Sequence, residues 1–206
     1  MSVAFGAVAR LRAADKPLHP RGRLTSGTVT RQGLDAPVGV PWIDEPGSDT
    51  VTVRLSRSVG LPAPLPDVHG LAVRVPVVDG HADLLLATTG RGRIGRFVFR
   101  PSVDRSARVY TTLLPYRTSS GPLLVAAFPT DSDGPAFDLA CASLQGAWRT
   151  FAHLEIGTDH HEDPTVSFDP VLNTLPGLDP YGWVASLREG SYVAARRARG
   201  APAVIS

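Results

Sequence analysis

Glycine and proline occur 20 and 19 times in 206 residues, and no other feature restricts the fold as strongly. Inside a helix each glycine costs ~1 kcal/mol and each proline ~3. A helical bundle cannot absorb so many breakers. Short strands joined by frequent turns can, because turns use the positive φ of glycine and the fixed φ of proline.

Strand patterns follow in series. Arg23–Thr30 is rich in β-branched residues, and Val51–Ser56 alternates with period two. Gly70–Val75 and Ala82–Ala87 flank the turn pair Asp79-Gly80. Further strands are expected at Arg96–Phe99, Val109–Leu113, Leu123–Phe128, Arg149–Ile156 and Thr165–Phe168. About nine short strands with turn signals between them point to an antiparallel barrel or sandwich, since no gap holds the helix that a parallel crossover needs. The segment 34–50, with Pro37, Pro41, Pro46 and Gly47, reads as a long loop. Pro135–Leu144 reads as holding a helical turn or two. Helical periodicity is confined to 2–14, where Val3, Ala7, Val8 and Leu11 share a face, and to 182–199, with Val184, Leu187 and Tyr192. The whole chain is expected to be one domain: an N-terminal helix over 1–15, a barrel over 16–170, and a C-terminal helix and tail over 171–206.

Net charge is +2, which gives no bulk attraction for nucleic acid. Of 21 basic residues only Lys16 is lysine; most arginines are expected to be scattered on the surface, and a ligand site would gather several in one place. The single Cys141 excludes an internal disulfide and a cysteine metal cluster, and its apolar setting predicts an inert buried thiol. No apolar run reaches the roughly 18 residues of a membrane span. The N-terminus lacks a basic region ahead of its apolar part, so a cytoplasmic location is expected. The expected ligand is a small molecule, with neither nucleic acid nor membrane as partner, and a homodimer is one expected assembly because exposed sheet edges pair.

Three clusters could carry chemistry. In Lys16-Pro17-Leu18-His19-Pro20-Arg21-Gly22 a histidine is stiffened by prolines on both sides, which suits a positioned acid/base group or simply a connector. In Val53-Arg54-Leu55-Ser56-Arg57 a strand would put Arg54 and Ser56 on one face. Turned into a barrel, that face buries a guanidinium that needs an anion; turned to solvent, it has no special role. Thr158-Asp159-His160-His161-Glu162-Asp163-Pro164 has the composition of a metal site but reads as a solvated turn. A metal-dependent phosphoesterase would need His153 to converge with His160, His161 and Asp163.

Taken in order, these segments resemble the catalase family. The His19 cluster resembles the start of the catalase haem pocket. Gly27-Thr28-Val29-Thr30, Val53-Arg54-Leu55-Ser56, Gly70-Leu71-Ala72-Val73-Arg74-Val75 and Gly80-His81-Ala82-Asp83-Leu84 are similar to the segments that follow it in that family. Beyond residue 90 the resemblance is colinear but weaker, with 148–156 and Phe168-Asp169-Pro170 similar to the last barrel strands.

The resemblance implies a mainly β fold, an eight-stranded antiparallel barrel with haem beside it. It implies that His19 is the catalytic acid/base moving a proton between the two peroxide oxygens, that Ser56 holds the other imidazole nitrogen, and that Arg54 pairs with a haem propionate. For the haem iron two alignments are open. In one, Tyr192 is the axial ligand, made acidic by Arg188, with Arg197 on a propionate. In the other, Pro180-Tyr181-Gly182 aligns with the segment after the barrel, and Tyr192 is an ordinary residue. The asparagine that catalases place after their Asp-Leu pair is absent from Leu85-Leu86-Ala87-Thr88-Thr89, where Thr88 is the nearest donor. The expected function is therefore a small catalase-like haem protein handling peroxides as a peroxidase or weak catalase. The alternative is a haem-less barrel that binds another small molecule without catalysis.

Overall fold

The computed structural model describes residues 23–57, 64–104, 108–130, 135–161 and 166–183. The expected N-terminal helix and residues 184–206 of the expected C-terminal helix and tail, with His19, Arg188, Tyr192 and Arg197, lie outside the described residues; the described start of that C-terminal segment, 171–181, is turns and a short strand and not helix.

Among the described residues ten strands run in chain order: β1 (Arg23–Arg31), β2 (Gly47–Arg57), β3 (His69–Val77), β4 (Gly80–Thr88), β5 (Tyr110–Thr111), β6 (Tyr116–Thr118), β7 (Gly121–Pro129), β8 (Ala136–Ala142), β9 (Arg149–His161) and β10 (Asp179–Pro180). Every pairing is antiparallel. The order β7-β5-β4-β3-β2-β1-β9-β8 closes on itself through β7–β8, giving an eight-stranded barrel, while β6 and β10 extend from β7.

Alternation along each strand shows which side faces in. In β2, Val51 and Val53 are buried in the interior cluster and Leu55 packs against it. In β3, Leu71, Val73 and Val75 do the same, as do Ala82, Leu84 and Leu86 in β4. Tyr110, Val125, Phe137, Leu139, Phe151 and Leu154 fill the opposite wall, with the Tyr110 and Phe137 rings edge to face at 5.6 Å. The interior is thus packed with side chains, as expected of a barrel of eight strands. The short helix α1 (Pro41–Asp44) brings Trp42 and Ile43 into this cluster, joined by Leu175 and Leu178. Asp44 fixes the approach to α1 by accepting the backbone N–H groups of Val38, Gly39 and Val40. Gly177 must be glycine: its φ is +86°, and a Cβ there would stand 2.8 Å from the Gly39 carbonyl oxygen.

Several expectations are corrected. The 34–50 segment is not all loop, since it contains α1 and the first four residues of β2. Ala136–Ala142, expected as helical turns, is the barrel strand β8, and its nearly continuous burial hid the period-two signal. Arg96–Phe99 is not a strand. Gly95–Phe97 is a 3-10 turn because the Arg96 guanidinium is drawn inward to donate to the carbonyls of Ser143 (3.2 Å) and Gly146 (3.1 Å). Only Tyr110 and Thr111 of the 109–113 segment join the barrel, and Leu113, at φ 60°, turns the chain away. Residues 166–168 form no strand and instead lie across the outside of the barrel. The Thr158–His161 part of the expected turn belongs to β9, where His160 pairs with Thr25 and His161 with Leu24.

Candidate functional site

Arg54 and Ser56 do share a face, but it is the outer face of the barrel, opposite Val53 and Leu55. Cross-strand register sets their neighbours. Leu24, Arg54, Ala72 and Leu85 form one row across β1–β4. Ser56, Gly70 and Ala87 form the next, and Thr52, Arg74 and Asp83 the row on the other side. The result is a floor of small and apolar residues with a guanidinium and a hydroxyl on it.

Outward direction has not left Ser56 in water. It is 8% exposed. Arg54 is half-buried, with its guanidinium carbon 6.0 Å from the centre of the Phe168 ring.

Phe168 belongs to a strap, residues 166–173, tied down by one carboxylate that sequence reasoning had used only as a landmark. Asp83 is buried. It accepts from Arg74 Nε (2.8 Å) and from the same guanidinium's second nitrogen (2.9 Å). It also accepts from the Asp169 backbone N–H (2.8 Å) and Asn173 Nδ2 (2.8 Å). Arg74 in turn donates to the Ser167 carbonyl at 2.6 Å and stacks on Phe168 at 4.8 Å. Burial alone would raise the Asp83 pKa, but the hydrogen bonds from Arg74, Asn173 and Asp169 and the charge of Arg74 outweigh it, so the carboxyl titrates below its ordinary value. Only the face-sharing of Arg74 and Asp83 across a hairpin could have pointed to this latch from sequence.

No family model matches the sequence, and no curated protein does. Solved structures do match. A fungal catalase crystal structure gives a TM-score of 0.66 at 14% identity, covering 97% of this chain and 62% of that one. Catalase A from Saccharomyces cerevisiae gives 0.65 at 12% identity, covering 97% and 64%. The chain has a catalase-like fold. It spans under two-thirds of the length of either catalase.

Within this catalase-like barrel the remaining candidates sort by face. Thr88 cannot stand in for the missing asparagine beside Ser56. Its neighbour Ala87 lies across from Gly70 in the Ser56 row, whereas Thr88 points the other way, fully buried, with its Oγ1 accepting the His69 N–H at 3.0 Å. Of the phosphoesterase constellation, Asp163 lies outside the described residues, and His153 does not converge with His160. His153 and His160 are seven residues apart on β9, about 23 Å along a strand, too far to share an ion. His153 instead sits 2.9 Å from Asp138 through Nδ1, and no group of metal-ligating residues occurs among the described residues. No helix among the described residues is long and apolar enough to cross a membrane.

Cys141, fully buried on β8, has its pKa pushed up to about 11, chiefly by desolvation. The native thiol is expected to resist a disulfide reagent at pH 8 and to react on unfolding in urea. Stoichiometric labelling of the native protein within minutes would show that β8 is more open than described.

Proposed function

We propose that this chain is a catalase-like haem protein that handles peroxides on the outer face of β2–β4. The observation that carries the reading is the placement of Ser56, outward and 8% exposed, in the row beside Arg54 on a floor of Gly70, Ala72, Leu85 and Ala87. The packed interior supports an outer site over one inside the barrel.

The donor set suits haem. A flat apolar macrocycle can lie on a floor of small residues, and a propionate suits a guanidinium. Arg54 would neutralise that propionate. His19 would serve as acid and base in turn, taking a proton from one peroxide oxygen and giving it to the other. Ser56 would hold its second ring nitrogen, fixing the tautomer. Tyr192 would supply the iron ligand, Arg188 would keep its phenol acidic, and Arg197 would take a second propionate. The haem supplies the iron at which the O–O bond is broken. With Ala87 where an amide would orient peroxide, peroxidase turnover is expected to exceed dismutation.

Haemin titration of the purified chain tests the reading. A saturable Soret band in wild type, shifted and weakened in Tyr192→Phe, is the expected result. The Ser56→Ala variant is expected to change stability by less than ~1 kcal/mol without haemin. With haemin its peroxidase rate is expected to fall about tenfold or more, as the tautomer of His19 loses its anchor. No Soret band in wild type would leave the haem-less alternative, a barrel that binds another small molecule.

A further inference from the structure

We propose that the loop over Arg91–Arg96, packed against the turn between β8 and β9, is a docking surface for an acidic segment of a partner protein.

Charge is unevenly spread along this chain. Between Asp83 and Asp104 it carries Arg91, Arg93, Arg96 and Arg100 and no carboxylate. Between Asp138 and Glu155 it carries Arg149 and again no carboxylate. The fold lays these two segments side by side. Arg96 donates to the carbonyls of Ser143 at 3.2 Å and Gly146 at 3.1 Å, and Trp148 Nε1 donates to the Arg91 carbonyl at 3.4 Å. A chain of net charge +2 has thus collected several cations at one place, as a binding site for an anion would.

The cations beside the turn are not neutralised by one another's neighbours. Arg96 is 2% exposed, and its partners are backbone carbonyls and the Trp148 ring at 4.5 Å. Its pKa is lowered, first by desolvation and then by the charge of Arg93. Arg93 is exposed and, among the described residues, paired with no carboxylate. Arg91 is exposed too, with its guanidinium carbon 5.2 Å from the centre of the Phe128 ring. A carboxylate brought in from outside relieves the repulsion between these groups.

The exposed apolar residues narrow the kind of anion. Ile94, between the arginines, is 81% exposed, and Leu144 on the turn is 38% exposed. Aliphatic side chains among cations match a polypeptide that mixes acids with apolar residues. Such a segment covers the aliphatics while its carboxylates pair with Arg91 and Arg93. Nucleic acid is a poorer match, because bases stack on open ring faces. Phe128 and Trp148 are half-buried, packed edge to face at 5.6 Å, and each already carries a guanidinium. A bilayer is a poorer match as well, since interfacial anchoring takes a long apolar face, and here isolated aliphatic side chains stand among cations.

The probe is a soluble peptide of repeated Glu-Glu-Leu-Gly units, titrated into the isotope-labelled full chain. Amide shifts are expected to concentrate at 90–97 and 143–148. Affinity is expected to fall about tenfold or more in Arg93→Glu and about threefold in Ile94→Ser, and to change little in Arg93→Lys. Both side chains are exposed, so these variants should melt with wild type, which a thermal scan checks. The peptide with glutamine in place of glutamate should not bind, and added salt should weaken the acidic one. Equal binding of the glutamine peptide, shifts away from the loop, or no shift in wild type overturns the proposal. So does tighter binding to oligothymidylate or to phosphatidylserine vesicles than to the peptide, or a dimer of this chain that Arg93→Glu dissociates, since each gives the surface to another occupant.

Discussion

Asp83→Ala is expected to destabilise the chain by about 3–5 kcal/mol, a large share of the roughly 5–15 kcal/mol that holds a domain folded. The reason is the number of donors that lose one acceptor. Four hydrogen bonds converge on this buried carboxylate, two of them from a guanidinium that has few other places to go. A urea titration should show the midpoint falling steeply while the denaturant slope stays near wild type. Asp83→Asn, which keeps one acceptor oxygen, should lie between. The same carboxyl gives the stability a defined acid limb. Its folded pKa lies below the unfolded value of 3.8, so the unfolded chain binds the proton more readily. The stabilisation is complete above about pH 4 and is lost as pH falls through the folded value. Wild type and Asp83→Asn should therefore converge in stability below pH 4. A gap that stays constant down to pH 2 would mean the latch does not depend on charge.

Arg96→Ala is the second large effect, expected at about 2–4 kcal/mol. Arg96 is 2% exposed, donates to the Ser143 and Gly146 carbonyls, and stacks on Trp148 at 4.5 Å. Its own carbonyl accepts from Thr111 Oγ1 at 2.9 Å, so one residue joins the β4–β5 connection to the β8–β9 hairpin and to β5. Removing the side chain takes away the donor shared by the Ser143 and Gly146 carbonyls and the cation stacked on Trp148. Hydrogen exchange should report faster opening at Arg96–Val98 and Ser143–Gly146, with β1–β3 protected nearly as before. Uniform loss of protection across the barrel would contradict this local role.

These two residues also show what could and could not be read from the chain. β2, β3 and β4 were legible because one wall of each is buried and the other is not, which leaves a clean period of two, and because Asp79-Gly80 marks the turn between them. β8 was not, because both its faces are covered and its hydrophobicity therefore never alternates. Arg96 misled for the opposite reason. In Arg96-Phe97-Val98-Phe99 the alternation is real, but the arginine is the inward residue, chosen for three-dimensional neighbours fifty positions away. Arg54 and Ser56 were correctly placed on one face. Which side of the sheet that face occupied depended on the closure of the whole barrel, which no local pattern encodes. Ser56 as a buried outward hydroxyl could be found only from the assembled fold.

The closure of the barrel has a consequence for how the chain is made. β1 is hydrogen-bonded on one side to β2, which follows it closely, and on the other to β9, whose His161 pairs with Leu24. During synthesis at about 5–20 residues per second, β1 therefore waits roughly 7–27 s with one edge open after it is made. Until then the nascent sheet of β1–β4 is an open template for other strands. The outer face of β1 carries Ser26, Thr28 and Thr30, while its inner face, with Val29, joins an apolar strip of β2–β4 that stays open until the barrel closes. Premature termination anywhere before β9 leaves that edge permanently unpaired, so truncated products of this chain should aggregate even when they retain most of the core.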